Sequence, residues 1–95
     1  MKERWTLKDK TAIITGGTKG IGAAIAHELM AFGARVCVVA RSGENIRAMQ
    51  EQEGENFTGI QEDLSKEEAF RNVAAFAEKQ YGKLDILVNN VGMNI

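Results

Sequence analysis

The chain has 95 residues, 44% of them hydrophobic and 26% charged, and no proline, proportions ordinary for one small globular α/β domain. The net charge of −1 argues against nucleic acid or a membrane surface held by bulk electrostatics, so neither partner is expected. No apolar run reaches the roughly 18 residues of a membrane span, and a chain this short buries only roughly 60–65% of its unfolded surface.

The opening "MKERWTLKDK" lacks the apolar centre of a secretory signal, which makes the cytoplasm the expected location. "TAIITGG" then reads as a short β-branched strand ending in glycine. Ile21, Ile25, Leu29 and Phe32 recur at helical spacing, and Gly33 is placed to end that helix. His27 lies off this apolar stripe and reads as solvated. "ARVCVVA" is apolar at nearly every position, as expected of a strand covered on both faces. Its Cys37 is the single cysteine and reads as a buried, inert thiol.

"ENIRAMQEQEG" reads as a short amphipathic helix and "FTGIQED" as a third strand. Ser65 and Glu68 have the spacing of a capping box. Phe70, Val73, Ala77 and Tyr81 follow on one helical face, and Gly82 closes the helix. Tyr81 therefore reads as a core residue. "LDILVNNVG" is a fourth strand running into polar residues. The order β-α-β-α-β-α-β, with crossovers of about 10–17 residues, predicts a doubly wound parallel sheet of Rossmann-like type. Residues 1–95 are expected to belong to one such domain.

Four glycines, Gly16, Gly17, Gly20 and Gly22, crowd the join between the first strand and first helix. In an open parallel sheet, ligands bind beyond the carboxyl ends of the strands, where this join lies. Gly16 allows a sharp turn, Gly20 opens the backbone to a phosphate, and Gly22 lets the helix approach the sheet. The free amides and positive end of that helix suit a pyrophosphate. A triphosphatase phosphate loop fails here, because Lys19-Gly20-Ile21 lacks the required Gly-Lys-Ser/Thr. The G-x-G-x-x-G fingerprint fails too, since Ile25 stands at its last glycine. Thr-Gly-x-x-x-Gly-x-Gly, from Thr15 to Gly22, fits.

Arg41 ends the second strand, about 20 residues past the glycines, where an acidic residue would select NAD. An arginine instead offers a fork of donors to a 2′-phosphate, and Lys19 adds charge. NADP(H) is the cofactor these residues predict; as solvated surface cations they would carry no such preference. One histidine and one cysteine do not make a metal ligand set.

Thr15 to Gly22, Asp63-Leu64 after the third strand and Asn89-Asn90-Val91-Gly92 after the fourth resemble the motifs of the short-chain dehydrogenases/reductases. The opening "RWTLKDKTAIITGGTKGIG" is similar to the tropinone-reductase-like members. The resemblance implies an oxidoreductase that passes hydride between a nicotinamide and a carbonyl or alcohol substrate. It implies that Gly16, Thr18, Lys19, Gly20, Ile21 and Gly22 hold the pyrophosphate, and that Arg41 and Ser42 hold the 2′-phosphate. Asp63 and Leu64 would flank the adenine; Asn90, Val91 and Gly92 would border the nicotinamide ribose. Val91 stands where the family usually has alanine. Asp63 also reads as a turn or capping residue before Ser65, and Asn89 and Asn90 as polar groups serving their own backbone.

The family's catalytic serine, tyrosine and lysine follow the Asn-Asn-x-Gly stretch, and Tyr81 is not followed by lysine at the fourth position. No catalytic residue is therefore expected among these 95, and the chain alone is expected to be inactive. By the same resemblance, residues 1–95 would be the N-terminal part of a single dinucleotide-binding (Rossmann-like) domain with the sheet incomplete, and the complete protein a homo-oligomer. The alternatives are a non-catalytic dinucleotide-binding module and a truncated, inactive product.

Overall fold

In a computed structural model, which describes residues 6–16 and 18–90, the order is β1 (Thr11–Thr15), α1 (Gly20–Ala31), β2 (Arg35–Ala40), α2 (Gly43–Gln52), β3 (Phe57–Gln61), α3 (Glu67–Tyr81) and β4 (Ile86–Asn89). The strands form one sheet in the order β3-β2-β1-β4, and every pairing is parallel. The chain thus winds outward from β1 to β3, then crosses back to place β4 on the other side of β1. That reversal is the switch point at which such sheets bind ligands.

Alternation along the two inner strands divides the core into two layers. Ala12, Ile14, Val36 and Val38 face α1 and α2, where Ala26, Ile46 and Met49 close the layer. Ile13, Cys37 and Val39 face α3, where Val73 and Ala77 meet them. Burial pushes the Cys37 thiol up to about 12, so it stays protonated and unreactive. Gly59 of β3 faces Ile46, whose side chain occupies the space a β-carbon would need.

The helix ends follow the sequence in two places. Gly33, at φ +104°, follows the last turn of α1, with its amide on the Met30 carbonyl and the Ala34 amide on that of Leu29. Gly82 caps α3 in the left-handed conformation.

Three expectations need correction. Ile21 is 66% exposed, and Gly22 and Ala26 are the buried residues of α1. The helix lies so close to the sheet that small residues must face it, with Ala23, Ile25 and Leu29 packing at its flanks. Phe70 is 55% exposed, because α3 buries Ala69, Val73 and Ala77 instead. The Ser65–Glu68 capping box does not form. The Ser65 hydroxyl and amide both donate to Asp63 Oδ1, at 2.7 and 3.0 Å, and α3 begins after Lys66 with no side-chain cap. This local turn satisfies the serine before the helix can use it.

β4 has a partner on one side only among the described residues. Its Ile86 and Val88 pack on the α1 layer, while Leu87 is 61% exposed on the other face. Phe70, Leu84 and Leu87 rim an open apolar groove of about 390 Å³ between α3 and β4.

Asp85 starts the β1–β4 pairing. The Thr11 amide donates to its Oδ2 at 2.9 Å, Lys83 Nζ lies 3.3 Å away, and the Asp85 amide returns a bond to the Thr11 carbonyl at 3.0 Å. The Thr11 amide, with Lys83 second, holds the carboxyl below the usual aspartate range. A depressed folded pKa contributes stability above the unfolded value and loses it as the pH falls through the folded one. Urea unfolding is therefore expected to show stability declining below the ordinary value of 3.8, and Asp85→Asn to remove part of that decline. Asp63, also depressed, supplies part of the remainder. An acid profile identical in Asp85→Asn would exclude this anchor.

Gly59→Ala is expected to lower stability by about 1–3 kcal/mol through overpacking against Ile46. Trimming Ile46 to alanine in the same chain should recover part of that loss, and additive losses would contradict the contact.

Candidate functional site

β1 ends at Thr15, and the chain leaves it through Gly16 at φ +69°, a conformation that favours glycine. The Gly16 amide donates to the Val39 carbonyl at 2.7 Å, which rolls the turn towards β2. Asn90 closes the other side. Its amide donates to Thr15 Oγ1 at 2.9 Å and its side chain to the Gly16 carbonyl at 3.2 Å. The Thr15 hydroxyl in turn donates to Asn89 Oδ1 at 3.1 Å. The Asn90 side chain thus bonds the backbone of the glycine turn and not, as one reading of the sequence expects, its own, while Asn89 accepts from a threonine side chain; together they hold the turn in place.

α1 starts after Lys19 with no side-chain cap and no acidic residue in its first turn. Its first amides have no partner within the helix, so its positive end is open. Gly20 adopts φ +55°, and a β-carbon there would meet nothing within 4 Å. The backbone is therefore free for an anion to approach.

A cleft of about 700 Å³ lies over the carboxyl ends of the strands. Gly16, Thr18 and Lys19 form one wall, Val39 and Ala40 the floor, and Arg41, Ser42 and Asn45 the opposite wall. Glu62, Asp63, Leu64, Ser65 and Asn90 complete it. Ser42 is the N-cap of α2, and its Oγ accepts from the Asn45 amide at 3.1 Å. That leaves its hydroxyl proton free to donate into the cleft. Asp63 is held below the usual carboxylate range first by the two Ser65 donors, with the Arg41 charge a smaller cause. It is an ionised acceptor at neutral pH. Glu62 Oε2 accepts from the Asn72 side chain at 3.2 Å.

Of the residues the sequence singles out, Gly16, Thr18, Lys19, Arg41, Ser42, Asp63, Leu64 and Asn90 share this cleft. Gly20, Ile21 and Gly22 form the start of α1 beside it, with Gly22 buried. Val91 and Gly92 lie outside the described residues. Asn45 and Glu62 line the cleft without having been singled out. The Ser-x-x-Asn spacing of Ser42 and Asn45 is the one signal that could have found the first. Leu64 also packs against the α3 layer, so it serves the core as well.

Two other groups lie elsewhere. His27 is exposed, as expected, and its Nδ1 sits 3.2 Å from Glu53 Oε2. Tyr81 packs against the α3 layer with the Arg35 guanidinium 5.1 Å from its ring centre. Arg35 begins β2, so this tyrosine stands at the edge of the sheet opposite the glycine turn. Burial raises its pKa.

Residues 10–95 match the family model of the short chain dehydrogenases. The chain belongs to that family. A tropinone reductase homolog of Arabidopsis thaliana is 41% identical over 96 residues, covering 97% of this chain and 37% of the homolog. A second, chloroplastic homolog from the same plant is 43% identical over 101 residues, covering 99% and 30%. A crystal structure of a short chain dehydrogenase from Bacillus anthracis matches with a TM-score of 0.85 at 27% identity, covering 90% of this chain and 36% of that one. The chain spans about a third of the length of these relatives. Among the described residues, no helix is long and apolar enough to cross a membrane.

Thr15 is 3% exposed, and its hydroxyl joins β1 to both asparagines. Thr15→Val keeps the shape but leaves the Asn90 amide without its acceptor. A loss of about 1–3 kcal/mol is expected in thermal or urea unfolding, and a change below a few tenths would show that water replaces the hydroxyl.

Proposed function

We propose that residues 1–95 are the cofactor-binding part of an NADP-dependent oxidoreductase acting on a small carbonyl or alcohol substrate. The observation that carries the reading is the meeting of Lys19 and Arg41 in one cleft with the glycine turn and the open end of α1. The cleft fits a phosphorylated dinucleotide: Gly20 leaves its backbone bare, α1 offers unpaired amides, and Arg41 and the Ser42 hydroxyl offer donors where the second strand ends. The bound nicotinamide would supply the hydride chemistry.

The chain's own residues bind and orient. Gly16 to Gly22 hold the pyrophosphate on the α1 amides, and Arg41 with Ser42 holds the 2′-phosphate. The ionised Asp63 accepts from the exocyclic amine of an adenine flanked by Leu64. Asn90, with Val91 and Gly92, borders the nicotinamide ribose. Proton transfer to the substrate is assigned to a serine, tyrosine and lysine in a segment following this one. Tyr81 has no place in it, since it packs at the opposite edge. A homo-oligomer and a cytoplasmic location belong to the same proposal, although one relative carries a chloroplastic name.

The test is the affinity of the full-length protein for NADPH and NADH, with and without Arg41. A hydrogen bond to a charged group contributes about 1.5–3 kcal/mol. Arg41→Ala is therefore expected to lose about ten- to a hundredfold in NADPH affinity while NADH binding stays near its original level. Equal affinity of the unaltered protein for both cofactors would refute the NADP assignment.

A further inference from the structure

We propose that Gln61 is a positioning residue for Arg41 and so sets how strongly the cleft prefers a 2′-phosphorylated dinucleotide; this rests on the reading of the cleft given above. Gln61 is the last residue of β3 and pairs in register with Ala40. The backbone bond from the Glu62 amide to the Ala40 carbonyl, at 3.0 Å, is where the β2–β3 ladder ends. The next carbonyl, one residue past the end of β2, belongs to Arg41, and the Gln61 side chain reaches it, donating from Nε2 at 3.0 Å. The amide thus adds one more rung to the sheet beyond the last backbone rung.

The same side chain lies across the start of α2. A β-carbon on Gly43 would come within 2.9 Å of Gln61 Oε1, so the glycine leaves room for the amide. One residue earlier, Ser42 is fixed by its cap to the Asn45 amide. Arg41 itself is exposed. A long exposed side chain is not aimed by packing; the backbone it leaves from must aim it, and ordering it costs rotamer entropy. With the Arg41 carbonyl tethered on one side and Ser42 capped on the other, the stem of the guanidinium starts from one direction. Gln61 does not line the cleft, whereas Arg41 and Ser42 do. Its influence on a ligand therefore passes through Arg41.

The experiment measures dissociation constants for NADPH and NADH in the full-length protein, its Gln61→Met, Gln61→Glu and Arg41→Ala variants, and the Gln61→Met/Arg41→Ala double variant. Methionine keeps the bulk over Gly43 but cannot donate. Gln61→Met is expected to weaken NADPH about three- to tenfold and to leave NADH within about twofold. Gln61→Glu should lose more, because a carboxylate repels both the Arg41 carbonyl and the 2′-phosphate. In the Arg41→Ala background, Gln61→Met should have no further effect on NADPH, the signature of action through the arginine. A residue that only supported the fold would weaken both dinucleotides together, which would overturn the inference. So would a Gln61→Met protein that keeps its preference while Arg41→Ala loses it, and in that case the cofactor reading stands. An unaltered protein that binds neither dinucleotide, or both alike, overturns the cofactor reading and this inference with it.

Discussion

β1 is hydrogen-bonded on both sides, to β2 and to β4, and the sheet is organised around that fact. A strand in this position has neither edge nor face open to water, and all five of its residues are buried. Three are apolar and fill the two core layers. The two that are not, Thr11 and Thr15, stand at its ends and turn their hydroxyls towards the β4 side. Thr11 Oγ1 donates to the Lys83 carbonyl at 2.8 Å, and Thr15 reaches Asn89 at the other end. Threonine suits both demands, since its branched carbon favours the strand and its oxygen has a partner where burial would otherwise penalise it. The glycine turn begins one residue beyond Thr15, so the cleft inherits its geometry from this strand.

The two inner strands were legible because parallel strands buried on both faces must be apolar nearly throughout, and "AII" and "VCVV" are. The facing sides of the helices were harder to read. α1 carries apolar residues on several sides, and a stripe of isoleucine and leucine is the obvious choice. Close approach to the sheet selects Gly22 and Ala26 instead. The same rule puts Ala69 and Ala77, not Phe70, against the sheet. The Ser65–Glu68 pair failed for a different reason: Asp63, two residues earlier, captures both serine donors first. In the cleft, Arg41 and Lys19 were legible from their distance to strand ends. Asn45 and Glu62 were not, because their place depends on how α2 and β3 converge.

The electrostatic pattern of the cleft is asymmetric. α1 presents an uncapped start with no acidic residue in its first turn, whereas α2 is capped by Ser42 and carries Glu44. The stronger unopposed field is therefore at the glycine turn, and that end suits the more highly charged group of a ligand. Arg41 supplies at the α2 end the charge that its helix lacks. Asp63 balances this as an acceptor whose lone pairs are already partly engaged by Ser65. A ligand with anionic groups towards both helices and a hydrogen-bond donor towards Asp63 matches the charges of Lys19, Arg41 and Asp63 on the walls.

The contacts that close the glycine turn join residues 74 and 75 positions apart in sequence. The β1–β2 pairing, by contrast, closes a much shorter loop. Loop entropy and topology place such distant pairings late in folding. Because β4 also has a half-covered surface, its end of the sheet is where local opening costs least. The contacts of Asn89 and Asn90 with the glycine turn are thus expected to be the last of this sheet to assemble and the first to loosen. Amide hydrogens along Asn89 and Asn90 should exchange sooner than those of β2, and any ligand seated on the turn would tighten this end, so occupancy and order there rise together.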